Sequence, residues 1–81
     1  PNLVIEILST STAKRDRTEK KDIYARNRVD EYWIVDPRRK LVTVFHLGDR
    51  EYDAGHISTM GTIRSQVLPK LRIAVEKLFA L

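Results

Sequence analysis

Apolar positions along this chain come in short runs, and their spacing changes from one run to the next. Leu3-Val4-Ile5-Glu6-Ile7-Leu8 is apolar at every position but one, the pattern of a strand buried on both faces and central to a sheet. Ser9-Thr10-Ser11-Thr12 follows, which is loop and helix N-cap chemistry. From about Thr12 to Asn27 there is no Gly or Pro, and Lys, Arg, Glu and Ala dominate. This stretch predicts a helix of about four turns. Its apolar supply is thin, so Ile23 and Tyr24 are expected to anchor its C-terminal half on the sheet. Asp16, Lys20 and Tyr24 recur at every fourth position and share one stripe of that helix.

Glu31-Tyr32-Trp33-Ile34-Val35 is rich in aromatic and β-branched residues. It predicts a second strand, parallel to the first across the helical crossover, with Trp33 in the core. Asp36-Pro37-Arg38-Arg39-Lys40 reads as a turn, solvated or touching a phosphate through its cations. Leu41-Val42-Thr43-Val44-Phe45 reads as a strand antiparallel to the second, followed by a turn at Gly48-Asp49-Arg50. Glu51 to His56 is a weaker edge strand. Thr62-Ile63-Arg64 predicts a short strand, and Pro69 to Ile73 alternates apolar and basic as an exposed edge does. Ala74 to Leu81 closes the chain as a short helix with Val75, Leu78 and Phe79 inward. His46 and His56 lack ligand spacing and are expected at the surface. The fold class is therefore α/β, more finely α+β with a mixed sheet: central strand, crossover helix, β-meander, short C-terminal helix.

With 81 residues, the chain is one small domain or part of one. It begins at Pro1 inside a core-strand pattern, so the N-terminal part of the domain is expected to be missing. The net charge of +4 and pI near 9.7 admit a nucleic-acid partner without requiring one. The absence of cysteine excludes a disulfide scaffold and thiolate chemistry, and a cytoplasmic location is expected. No apolar run approaches the ~18 residues of a membrane span, so no membrane partner is expected.

Glu6 is the chemical anomaly. An ionised carboxylate in an apolar run is costly unless it is paired, hydrogen-bonded or metal-bound. Strand alternation puts Glu6 on one face with Val4 and Leu8, and the helical stripe offers Lys20 as the cation to meet it. Taken alone, the pair is as well explained by a structural ion pair.

These residues carry a resemblance. Pro1 to Ser9, the row Asp16, Lys20, Tyr24, the strand Glu31 to Pro37 and the tail from Ser65 to Phe79 resemble a bacterial family of restriction-endonuclease-like proteins. That family lies within the PD-(D/E)XK nuclease superfamily, and the likeness covers the C-terminal half of its domain. The resemblance implies a restriction-endonuclease-like core and an endonuclease hydrolysing phosphodiester bonds in DNA with Mg²⁺ or Mn²⁺ as cofactor. Glu6 would be the metal ligand. The superfamily's usual lysine position falls on Leu8, and Lys20 on the helix holds the family's matching place. Tyr24 or Asp16 would hold Lys20. A second metal-binding Asp would lie upstream of Glu6, so these residues alone are expected to be inactive. The unpaired edge of the first strand is expected to be covered by upstream residues or by a second copy of the chain. The alternative is a non-catalytic binding or assembly module in which Glu6–Lys20 is a structural pair.

Overall fold

The computed structural model describes residues 2–8 and 13–80, and for residues 13–17 the backbone only. The Ser9-Thr10-Ser11-Thr12 cap and the side chain of Asp16 thus lie outside the described residues. The elements are β1 Leu3–Ile7, α1 Ala13–Arg26, β2 Glu31–Asp36, β3 Leu41–His46, β4 His56–Ser58, β5 Thr62–Arg64, β6 Arg72–Ala74 and α2 Val75–Leu78.

Two sheets result. The larger has the order β1-β2-β3-β4, and β5 and β6 form a separate antiparallel ribbon. β1 and β2 are parallel, with Glu6 level with Ile34 and Ile7 with Val35. β3 and β4 follow antiparallel. The mixed sheet, crossover and meander match the sequence reading.

The strand buried on both faces is β2, where Glu31 to Val35 are all enclosed. β1 was expected to have that environment, but Ile5 and Ile7 stay exposed on one of its faces. Both strands carry an apolar run, but among the described residues β2 has a neighbour on each edge and β1 on one edge. On one face Tyr32, Ile34, Phe45 and Tyr52 pack with Val4, Leu8, Tyr24 and Ala25, which seats α1 there. On the other, Trp33, Val35, Val42 and Val44 meet Ile63 and Val75, flanked by Leu71, Ile73 and Phe79. Alternation along β2 sends successive residues to these two clusters.

Three local expectations change. Ile23 is 45% exposed and does not anchor α1. Tyr24 and Ala25 do, with Lys21 lying 4.0 Å over the Phe45 ring, because a cation on an aromatic face is itself a favourable contact. The fourth strand starts at His56 rather than Glu51. Gly55, at φ +86, brings the chain so close to Phe45 that an added Cβ would fall 2.6 Å from its ring. Leu78 is exposed, since α2 is a single turn and turns only Val75 fully inward.

Candidate active site

The parallel pairing of β1 and β2 sends both strands' C-terminal ends to one end of the sheet, where the amide of Leu8 donates to the carbonyl of Val35 at 2.9 Å. Glu6 stands one residue before the end of β1, on the face that α1 covers. The crossover returns α1 antiparallel to β1, so the helix lays Lys20 and Tyr24 across that end.

Lys20 Nζ donates to Glu6 Oε2 at 3.1 Å, and the Tyr24 hydroxyl donates to Glu6 Oε1. The two helix residues therefore clasp one carboxylate by its two oxygens. The contact expected between Glu6 and Lys20 is present. The carboxylate keeps 24% of its side-chain surface in solvent and the lysine 46%. The hydrogen bond to Glu6, then burial, then the Glu6 charge hold the Tyr24 phenol up at about 12. Tyr24 thus keeps its proton at neutral pH and acts toward Glu6 as a donor. Its ring stands edge-on to Tyr32 at 5.1 Å, so the same residue anchors α1 and orients the carboxylate.

α1 ends in a Schellman arrangement that fixes Tyr24 from behind. The amide of Arg28 donates to the Ala25 carbonyl, and the amide of Val29 to that of Tyr24. Arg28 takes the left-handed conformation this demands, φ 59, and its Nη1 donates to the Asp49 carbonyl at 2.5 Å. The Tyr52 hydroxyl, also on this side, donates to the Val29 carbonyl at 2.6 Å.

Asp36 behaves as the turn residue expected, its Oδ1 accepting the amides of Arg38 and Arg39. A separate surface hollow lies between α1 and the β3–β4 region, with Lys21, Ala25, Phe45 and Ile57 in its walls.

Sequence reading missed a second polar cluster, on the opposite face. Glu31 is fully buried. It accepts from Trp33 Nε1 at 2.7 Å and from the amide of Gln66 at 2.7 Å. Burial pushes its carboxyl up, but hydrogen bonds from Ser65, Gln66, Trp33 and Val67 outweigh that and leave it below the usual value. His46 was expected alone at the surface. Instead it is half-buried, with Nε2 3.3 Å from Glu31 Oε1 and Nδ1 3.7 Å from Asp53 Oδ2. The β2–β3 register sets Glu31 opposite His46, a proximity that no local sequence signal encodes.

No helix among the described residues is long and apolar enough to cross a membrane. Among curated proteins none matches the chain. The fold is similar to a solved structure described as "a putative nuclease belonging to DUF820 from Anabaena variabilis ATCC 29413", with a TM-score of 0.79 at 18% identity. The alignment covers 99% of this chain and 44% of that one, so this chain spans less than half of that neighbour's length. A likeness at that identity speaks to the fold. The model of the Uma2 family, described as "Putative restriction endonuclease", matches residues 1–76. That match takes in Glu6, Lys20, Tyr24 and both sheets, and the chain belongs to the Uma2 family of restriction-endonuclease-like proteins.

Proposed function

We propose that this chain carries the lysine-bearing side of the active site of a metal-dependent endonuclease that hydrolyses DNA phosphodiester bonds in the cytoplasm. Family membership and the nuclease-like fold support a nuclease. The observation that carries the site is a part-exposed carboxylate, Glu6, clasped by an ammonium and a phenol from the facing helix.

The donor chemistry of Glu6 fits a hard cation. Mg²⁺ and Mn²⁺ prefer oxygen ligands, and Mg²⁺ is commonly held by one or two carboxylates while keeping several waters. Among the described residues no group of three or more His, Cys, Asp or Glu side chains gathers into a metal site, and we assign Glu6 as the ligand that this side of the site would supply. When bound, such an ion polarises the phosphate and lowers the pKa of a coordinated water. The protein's own groups do the rest. Lys20, whose ammonium is half in solvent beside Glu6, offsets negative charge that develops on the phosphate oxygens. Tyr24 fixes the Glu6 rotamer through its retained proton. Asp16, one turn before Lys20 on the stripe, is assigned to orienting that lysine.

The test is DNA cleavage by the full-length protein in Mg²⁺. Glu6→Gln is expected to abolish cleavage with the fold intact. Lys20→Ala is expected to lower the rate on the order of 10²–10³, as for loss of one electrostatic stabiliser. Cleavage at the parent's rate by either variant overturns the assignment. The second reading, a structural pair in a non-catalytic module, is favoured by the neutralisation of Glu6 by Lys20. Calorimetric titration with Mn²⁺ separates the two: an enzyme site binds the ion in a Glu6-dependent way, and a module does not bind it.

A further inference from the structure

We infer that the β2–β3 turn is a clamp for the DNA backbone, its cations Arg38, Arg39 and Lys40 holding phosphates beside the one that Glu6 and Lys20 address. This rests on the nuclease reading and assigns it a substrate-gripping surface.

Topology supplies the first support. β1 and β2 are parallel, so the turn leaves the sheet at the same end as Glu6. Glu6 is level with Ile34, and Arg38 lies four residues further on. Two of those four are strand, ending at Asp36 where the chain turns back to Leu41; that is about 7 Å of strand rise, the axial length of about two base pairs at about 3.4 Å each. A duplex whose scissile phosphate lies at Glu6 therefore runs over the turn within a few nucleotides.

The turn's construction supplies the second. All three cations are exposed. The neighbouring acid, Asp36, directs one oxygen to the backbone amides of Arg38 and Arg39 at 3.1 and 3.0 Å. Its other oxygen meets Arg39 Nε only at 4.0 Å. Arg38 and Lys40 make no ion pair among the described residues. Pro37 and the Asp36 bonds hold the backbone in one conformation, so little ordering is left for a ligand to impose.

The third is Lys40 itself, which occupies the left-handed region at φ 54. Glycine would take that conformation without the Cβ penalty. A lysine there spends conformational energy to place a cation, as strained residues at binding sites do. Phosphates are the partner such a surface fits: Arg offers them a planar fork and Lys a point charge.

The test compares the full-length parent with Arg38→Gln/Arg39→Gln/Lys40→Gly. It measures binding of a fluorescent 20-bp duplex of arbitrary sequence in EDTA across a salt series. Each phosphate contact contributes about 0.9 to the slope of log K against log salt. The triple variant is expected to bind more weakly on every sequence, with the slope reduced by up to about 2.7. In cleavage assays it should raise KM and leave kcat at saturating DNA unchanged. Lys40→Gly alone should match or exceed the parent's melting temperature, so a lower affinity in that variant is not unfolding. An unchanged slope overturns the clamp. Parent-like cleavage by Glu6→Gln overturns the active-site reading instead, and the salt slope is indifferent to that result.

Discussion

Glu31 shows how one buried ionised group can hold two parts of a small domain together. Its oxygens take hydrogen bonds from Trp33 in its own strand and from Gln66 in the segment between β5 and β6. Glu31→Gln keeps the volume but weakens charge-assisted bonds, and a loss of about 1.5–3 kcal/mol is expected in urea unfolding. The sign of the pH dependence follows from the lowered carboxyl. A group held below its unfolded value of 4.5 stabilises the fold fully above that value, and the stabilisation disappears as pH falls through the folded value. The parent should therefore lose stability more steeply than Glu31→Gln as pH drops below about 5. Equal slopes would show that Glu31 is not ionised in the fold. Tyr24 has the opposite sign: its phenol is raised to about 12. Its bond to Glu6 contributes fully below pH 10 and is lost as pH rises toward that value.

α1 is seated by few residues, and its C-terminal cap carries weight that its sparse apolar face does not. Tyr24 packs against Tyr32, Ala25 joins the same cluster and Lys21 covers Phe45, while Ile23 looks outward. Helix position relative to the sheet therefore depends on the Schellman turn at Arg28, φ 59. Arg28→Gly and Arg28→Ala both delete the bond to the Asp49 carbonyl, so comparing them isolates the backbone. The glycine variant is expected to be the more stable by about 1 kcal/mol in thermal or urea unfolding. If the two are equal, the left-handed conformation is not the controlling feature. Retention of the Glu6–Tyr24 contact in both, read by the tyrosine titration, would tie that difference to the cap rather than to the site.

At the scale of the whole molecule, the central sheet is a partition. One face carries α1 and the Glu6 site; the other is closed by the β5–β6 ribbon and α2 through Ile63 and Val75. Val75 is fully buried although α2 is one turn long. Val75→Ala is expected to cost about 2 kcal/mol from lost burial and the cavity left behind. Trp33 fluorescence and far-UV circular dichroism should report the same shifted transition, because Trp33 is in the cluster that Val75 completes. Separate transitions would show the ribbon melting on its own. The parts written locally in the chain were legible: apolar runs marked β1, β2 and β3, the Gly- and Pro-free stretch marked α1, and Asp36-Pro37 marked the turn. The Glu6–Lys20 contact was legible too, because a carboxylate in an apolar strand needs a cation and the helical stripe offered one nearby. What needed the tertiary structure was everything set by register and cover. Strand alternation assigns residues to two faces but does not say which face is enclosed or which strand has two neighbours. Ile5 and Ile7 are therefore exposed while the similar run in β2 is buried. Glu31, His46 and Asp53 come from two strands and a loop, and they meet only through the β2–β3 pairing, a non-local choice that no spacing within the chain records.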